Sequence, residues 1–115
     1  MEALAHPRVS ERRDMGGALM DVVQLDYVVT PFRDQRFVDL YRPAIARPRT
    51  YGASGYLFFR SEEDSAHFVH MSFWEDRADF DRWWFSREMQ DVRVAVAGLH
   101  GTPVLPHWHT VIERG

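Results

Sequence analysis

The sequence predicts a single α+β domain, in which a four-stranded antiparallel sheet carries two helices on one face. Apolar residues recur along the chain with the spacing of a strand, a helix, two strands, a helix and a final strand. That order is the split β-α-β plan of ferredoxin-like folds. A chain of 115 residues also has the length of one domain with one core. We expect the domain to span residues 21–115.

The first 20 residues do not share this pattern. They contain a polar run at 10–14 and a glycine pair at 16–17, with no apolar periodicity. We therefore predict an N-terminal tail or arm over residues 1–20.

The β-branched run at 22–29 predicts the first strand. Its alternation places four apolar side chains on one face: Val23, Leu25, Tyr27 and Val29. Thr30 and Pro31 resemble a helix cap followed by a first-turn proline. Apolar residues then recur at helical spacing up to Ile45, and Pro43 and Pro48 are expected to kink or end this helix.

A glycine-containing loop at 52–55 separates the helix from two short strands. Residues 56–59 predict the second strand, 61–65 a polar hairpin turn and 66–74 the third strand. Asp76 is suited to cap the next helix.

That second helical region has an apolar face and an interruption. Phe80, Trp83 and Trp84 lie on one face, and the helical pattern resumes after Ser86 and runs to Gly98. Residues 107–113 predict the fourth strand.

The third strand is apolar on both faces. Val69, Met71 and Phe73 alternate with Phe68 and Trp74. Two helices cover only one face of the sheet, and an uncovered apolar face would be a large exposed patch. We therefore expect a homodimer whose two sheets stack face to face.

The composition excludes several kinds of chemistry. The chain has no Cys and no Lys, and all 14 basic residues are Arg. Thiol nucleophiles, thiolate metal sites, Schiff-base lysines and the phosphate-loop lysine are therefore absent. The net charge of -3 argues against nucleic acid as a partner.

No apolar run approaches the ~20 residues of a membrane span, and no signal peptide is visible. We expect a soluble cytoplasmic protein without a membrane partner.

The segment Phe68–Phe80 carries a family resemblance. It reads FVHMSFWEDRADF, a strand that ends in Trp, an acidic cap, and a helix with Phe six residues after that Trp. Over about residues 21–112 the chain resembles the dimeric α/β-barrel proteins grouped with the antibiotic-biosynthesis monooxygenases. The resemblance implies a ferredoxin-like subunit in a dimeric α/β barrel.

The resemblance also implies a pocket and an activity. Members of the family include cofactor-independent monooxygenases, in which an Asn four residues before the Trp, the Trp itself and a Tyr line the pocket. Those positions here hold His70, Trp74 and Phe80. We expect His70 and Trp74 to be catalytic, with His70 as base or hydrogen-bonding group.

Other members degrade haem, and they place a Trp about where Trp83 lies. They also need an axial His, whose nearest counterpart here is close to Arg93. Since an Arg guanidinium keeps its proton, it cannot bind iron.

Several residues have both a structural and a functional interpretation. His70 shares a strand face with Ser72 and Trp74, and a core His bonded to a backbone carbonyl is an equally good interpretation. The residues expected to line a pocket for a flat aromatic ligand are Tyr27, Ser72, Phe80, Trp83 and Trp84.

His107 and His109 lie on one face of the fourth strand and form a local metal-ligand pair. The neighbouring sequence offers no obvious third ligand, so we expect no metal and no other cofactor.

Three hypotheses about function stay open. The first is a cofactor-independent monooxygenase or related oxidoreductase that acts on a small phenolic or quinone-like compound. The second is a non-catalytic dimer that binds a small hydrophobic molecule, and the third is a dimer whose aromatic residues only fill the core. A cavity of roughly 300 Å³ between sheet and helices would separate the third from the others.

Overall fold

The computed structural model describes residues 20–115, and the predicted N-terminal tail lies outside this range apart from Met20. The strands are β1 (Asp21–Val28), β2 (Gly55–Arg60), β3 (His67–Trp74) and β4 (His107–Thr110). The helices are α1 (Asp34–Ile45), α2 (Arg47–Tyr51), α3 (Arg77–Trp84) and α4 (Arg87–Val96), and a short 3-10 helix follows at Ala97–Leu99.

The four strands form one antiparallel sheet in the order β2-β3-β1-β4. The two central strands are β1 and β3, and their register places Leu25 opposite His70. This topology confirms the predicted ferredoxin-like α+β fold.

The helices cover one face of the sheet and enclose an aromatic core. α1 and α4 pack against each other, and α3 follows β3. One ring cluster lies at α1 and consists of Phe37, Tyr41, Phe58 and Phe68. A second lies at α3 and consists of Trp74, Phe80, Trp83 and Trp84. Within residues 20–115, no helix has the length and apolar character needed to cross a bilayer.

Of the two predicted helix caps at Asp76 and Thr30, the first is confirmed and the second is wrong. Asp76 caps α3 by accepting a hydrogen bond from the Ala78 amide at 2.9 Å. The predicted cap at Thr30 is wrong, because α1 begins only at Asp34. Thr30 instead accepts the Arg33 amide at 3.1 Å across a β-turn, in which Phe32 has the left-handed φ of 67°. Proline suits the second position of such a turn as well as the first turn of a helix.

β4 is shorter than the predicted 107–113. It pairs with β1 from Gln24 opposite His107 to Asp21 opposite Thr110. The strand ends there because β1, its partner, begins at Asp21.

The outer face of the sheet carries no helix from the described part of the chain. Leu57 is 53% exposed and Phe59 43% exposed, and Met71 and Phe73 are half-buried beside them. The apolar outer face that the sequence predicted is therefore present.

Candidate functional site

The inner face of β3 supplies a row of buried polar and aromatic side chains. Phe68, His70, Ser72 and Trp74 all point toward the helices, because every second residue of a strand faces the same side. His70 is 1% exposed and Trp74 is fully buried. The strand therefore places both predicted catalytic residues inside the core.

Two tyrosines connect His70 to the opposite side of the core. The Tyr41 hydroxyl lies 2.7 Å from His70 Nδ1, and the Tyr27 hydroxyl lies 3.2 Å from the Tyr41 hydroxyl. On its other side, His70 Nε2 lies 3.0 Å from the Ile45 carbonyl. This carbonyl belongs to the last turn of α1, where backbone acceptors lack a partner within the helix. His70 therefore ties the end of α1 to β3. We call these four linked groups the Ile45–Tyr27 chain.

Burial sets the protonation states along this chain. It lowers the pKa of His70 to about 4, against a weaker opposing effect of the hydrogen bond to Ile45. Burial also raises the pKa of Tyr27 to about 12 and raises the pKa of Tyr41 well above its usual value. All three side chains are therefore neutral near pH 7.

Ser72 and Trp74 form a second buried pair. The Trp74 indole Nε1 donates to Ser72 Oγ at 2.8 Å. The Trp74 ring packs on Phe80 and Trp83, with centroids 5.6 and 6.3 Å apart. A buried indole N–H ordinarily needs such a partner, so this geometry also suits a structural tryptophan.

A partly open cavity of about 210 Å³ lies at the other end of the Ile45–Tyr27 chain. It sits between β1, α4 and the loop that leads to β4, and its wall consists of Tyr27, Arg93, Val96, Ala97, His100 and Val104. We call it the Tyr27–Arg93 cavity. It is mostly apolar, with a few polar groups, which is the usual make-up of a small-molecule site.

Arg93 is the charged group of this cavity. Its guanidinium lies over the Trp84 ring, 4.5 Å from the centroid. Its Nη1 atom is buried and has no hydrogen-bond partner among residues 20–115. Burial lowers the pKa of Arg93, while the two tyrosines raise it. Because Arg93 lines the cavity and a guanidinium has donors but no acceptor, this side chain suits an oxygen atom of a ligand.

His100 completes the polar wall of the cavity. Its ring packs edge-on against Tyr27 at 5.6 Å, and its Nδ1 lies 2.9 Å from the Thr102 carbonyl. Because a carbonyl only accepts, Nδ1 carries a hydrogen and donates it to this carbonyl.

The predicted site residues fall into three groups. Tyr27 lines the cavity, and Trp84 packs against Arg93, which also lines it. His70 reaches it only through Tyr41 and Tyr27. The others lie in the packed core beneath α3, namely Ser72, Trp74, Phe80 and Trp83.

Three residues of this arrangement were not among the predicted site residues. Tyr41 looked like an apolar helix position, although a buried phenol needs a partner. Arg93 follows Met89 by four residues and precedes Val96 by three, so it lies on the apolar face of α4. A charged residue on an apolar helix face is a sequence pattern that could have identified Arg93 as a candidate site residue. No sequence pattern identifies His100, because its position depends on the conformation of the loop after α4.

A groove of about 320 Å³ between α1 and β2 is larger but less suitable. Arg60 and Asp34 pair across it at 3.1 Å, and both side chains are nearly half exposed. The charges of this pair are therefore already satisfied and solvated.

His107 and His109 are exposed on the outer face of β4. Residues 20–115 contain no group of three or more His, Cys, Asp or Glu side chains that could hold a metal. The absence of a metal requirement stays a prediction.

Comparisons with known proteins agree with the fold. A candidate antibiotic biosynthesis monooxygenase from Nitrosomonas europaea superposes with a TM-score of 0.74 at 17% identity, over 81% of this chain and 90% of that one. A similar candidate from Caulobacter crescentus gives 0.73 at 12% identity, over 89% and 98%. The Rv0793 protein of Mycobacterium tuberculosis gives 0.71 at 17% identity, over 84% and 98%.

No curated protein matches the chain. The family profile described as antibiotic biosynthesis monooxygenase matches residues 20–95, which include β1 to β3 and most of α4. The chain therefore belongs to the antibiotic biosynthesis monooxygenase family.

Proposed function

We propose that this protein is a cofactor-independent monooxygenase that acts on a small phenolic compound bound in the Tyr27–Arg93 cavity. The observation that carries this proposal is a mostly apolar cavity whose wall includes the cation Arg93 together with Tyr27 and His100. Family membership supports the reaction class, and the cavity indicates where the substrate would bind.

The cavity volume limits the size of the substrate. A cavity of about 150 Å³ is large enough for benzene. The 210 Å³ cavity therefore suits one substituted ring or a compact two-ring compound. It is smaller than the roughly 300 Å³ that would separate a ligand-binding protein from one whose aromatic residues only fill the core, and its open side leaves room for a larger substituent to project outward.

In the proposed reaction, the ring loses a proton and passes an electron to dioxygen, and the ring radical and superoxide so formed combine through a new C–O bond and take up the proton. The resulting peroxide loses water and leaves a quinone, so one oxygen atom enters the product and the other leaves as water. Arg93 would stabilise the phenolate by donating to its oxygen. Val96 and Val104 would exclude water, and Tyr27 would orient the ring.

His70 is better suited to positioning than to proton removal. A phenol has a pKa near ~10, and burial lowers the pKa of His70 to about 4. Full transfer of the proton to His70 would therefore be uphill by roughly 8 kcal/mol. We propose that His70 positions Tyr41, and through it Tyr27, by its hydrogen bond to the Tyr41 hydroxyl. Trp74 then has a supporting role in the packed core behind the cavity. His100, at the cavity itself, is the better placed base.

Oxygen uptake with 1,2-dihydroxynaphthalene, without flavin or metal, tests the proposal. Arg93→Met should lower the rate by about 10²-fold or more, because it removes the phenolate's donor. Arg87→Met is the matched control, since Arg87 lies on the same helix but is exposed. No protein-dependent uptake, or equal rates for the two variants, would contradict the proposal.

A non-catalytic binding protein is the second candidate. It is favoured by the enclosed, neutral state of His70, because the residue expected to be the catalytic base does not line the cavity. Binding of the same compound under argon, with no oxygen uptake in air, would identify this function.

Haem does not fit the cavity. At 210 Å³ it is below the 300–1,000 Å³ of sites for drug-sized ligands, and Arg93 lies near the place where the resemblance puts the axial histidine.

We also propose that two copies associate through the outer face of the sheet. Leu57, Phe59, Met71 and Phe73 together form an exposed apolar surface on that face. A dimer should bury more than ~1,000 Å². Met71→Glu should shift the mass measured by light scattering from dimer to monomer, whereas Val94→Glu, exposed on α4, should leave it unchanged. A wild-type monomer at micromolar concentration would contradict this proposal. A cytoplasmic location stays a prediction.

A further inference from the structure

The hydrogen bonds around Tyr41 determine where its proton can go. The Ile45 carbonyl can only accept, so His70 Nε2 carries the hydrogen of the neutral ring and Nδ1 keeps a lone pair. The Tyr41 hydroxyl therefore donates to Nδ1 at 2.7 Å, and the Tyr27 hydroxyl donates to the Tyr41 oxygen at 3.2 Å. Tyr41 is thus a fully buried phenol whose hydrogen already points at a base.

A redox-active tyrosine needs this arrangement. A phenol that loses an electron becomes a strong acid, so its oxidation is favourable only where a base takes the proton in the same step. An imidazole lone pair at hydrogen-bond distance is such a base. Tyr27 is less well placed, because the group that its hydroxyl contacts is another phenol.

The site of proton arrival also suits a positive charge. Both nitrogens of a protonated His70 would keep a partner, since Nε2 still donates to Ile45 and Nδ1 would donate to the Tyr41 oxygen. Ile45 ends α1, and the carbonyl end of a helix favours a cation. Burial lowers the pKa of His70 to about 4, yet an oxidised phenol is a far stronger acid than an imidazolium of that pKa.

Tyr27 connects this pair to the cavity. The ring centroids of Tyr27 and Tyr41 are 4.8 Å apart, and Tyr27 forms part of the cavity wall. Electrons cross such short distances between packed rings without a cofactor. An oxidant in the cavity can therefore take an electron from Tyr41, although the Tyr41 side chain itself is fully buried.

We propose that Tyr41 and His70 form a one-electron redox site that reduces a peroxyl radical in the Tyr27–Arg93 cavity. The oxidant rests on the proposed function, because a ring radical whose superoxide partner escapes can add dioxygen and become a peroxyl radical. Tyr41 gives this radical one electron, the Tyr41 O–H bond breaks, and the proton forms an N–H bond at His70 Nδ1. The resulting peroxide anion takes a proton from water, which yields the same hydroperoxide as the main reaction.

The substrate itself restores the pair. A dihydroxylated ring is easier to oxidise than tyrosine, because its second oxygen stabilises the radical. A substrate phenolate therefore returns one electron to the Tyr41 radical and becomes a new ring radical. The proton moves back from His70 Nδ1 to the Tyr41 oxygen.

Pulse radiolysis with the azide radical as oxidant tests the redox site without substrate or dioxygen. Other oxidised aromatic residues should take an electron from Tyr41 and leave a neutral tyrosyl radical, observed by electron paramagnetic resonance. Tyr41→Phe should remove this radical. Tyr51→Phe is the matched control, because Tyr51 donates to Glu88, and it should leave the radical in place. His70→Gln should slow radical formation by roughly 10²-fold, since Gln is not a base.

The wild-type protein gives an independent measurement if the variants fold poorly. Within residues 20–115, Tyr41 is the tyrosine whose hydroxyl is bonded to a histidine. Isotopic labelling of the histidine nitrogens should therefore change the hyperfine couplings of the radical. Samples frozen during turnover of 1,2-dihydroxynaphthalene in air should contain the same radical.

Two results would overturn the redox site: a tyrosyl radical that survives in Tyr41→Phe, and a wild-type radical without coupling to histidine nitrogen. A radical that forms on radiolysis but is missing while oxygen is consumed would overturn the peroxyl radical as oxidant. Absence of oxygen uptake would count against the proposed function alone, because radiolysis still decides whether Tyr41 and His70 are redox-active.

Discussion

The two sides of Tyr27 differ in how the fold treats their polar groups. On the β3 side, the hydroxyls of Tyr27 and Tyr41 and both ring nitrogens of His70 are hydrogen bonded, and all three side chains are buried. On the α4 side, Arg93 Nη1 is buried beside a cavity without a partner in residues 20–115.

This difference separates stability from binding. A satisfied, enclosed histidine stabilises the fold by joining α1 to β3, and removing it leaves partners without hydrogen bonds. A cation in the wall of a cavity adds little to the stability of the free protein, and it contributes to binding when a ligand supplies an oxygen acceptor. Variants of His70 should therefore lose stability, whereas variants of Arg93 should keep their stability and lose ligand binding.

His70→Ala should have the largest effect on stability. It removes the acceptor of Tyr41 and the donor to Ile45, and it leaves a cavity between β3 and the helices. We expect a loss of about 3 kcal/mol in the free energy of unfolding, measured by urea denaturation. His109→Ala, exposed on β4, is the control. A loss within about 0.5 kcal/mol would mean that His70 does not join the elements as described.

The pH dependence of unfolding is expected to be nearly as large. The folded-state pKa of His70 is about 4, below the usual 6.5, so the folded protein binds this proton less well than the unfolded chain. The stability from neutral His70 is therefore complete above pH 6.5 and lost as pH falls toward 4. A shift of that size corresponds to about 3 kcal/mol. His70→Gln cannot titrate, so the difference between its pH profile and that of the wild type isolates the effect. Parallel profiles would contradict the buried neutral state.

Trp74→Phe should cost less, about 1–2 kcal/mol, because most of the apolar volume is kept while the bond to Ser72 Oγ is lost. The rate of oxygen uptake per folded molecule should change little. A large fall in rate with unchanged unfolding would instead give Trp74 a direct catalytic role.

Arg93→Met should have the smallest effect on stability. It replaces a half-buried cation, one nitrogen of which is buried without a hydrogen bond among residues 20–115, with an apolar side chain of similar length. We expect unfolding within about 0.5 kcal/mol of the wild type, or slightly more stable, together with weaker ligand binding. A loss of stability as large as that of His70→Ala would mean that Arg93 stabilises the fold, as His70 does.

The alternation of apolar residues was sufficient to predict the inward faces of β1 and β3, and hence that Tyr27, His70 and Trp74 are enclosed. It could not predict the hydrogen-bond partners, because Tyr41 and His70 are 29 positions apart and meet only through packing of α1 on the sheet. The cavity depended on the loop around His100, and the turn at Phe32 depended on a left-handed residue that is not glycine.

Amide and indole NMR spectra, recorded under argon during titration with 1,2-dihydroxynaphthalene, test the central claim most directly. If the ligand occupies the Tyr27–Arg93 cavity, the largest shifts should occur at the Ala97 and His100 amides and the Trp84 indole, while the Trp74 indole resonance stays in place. Dominant shifts at the Trp74 indole and the Ser72 amide, or at Val38 and Arg60 in the groove beside β2, would contradict the account.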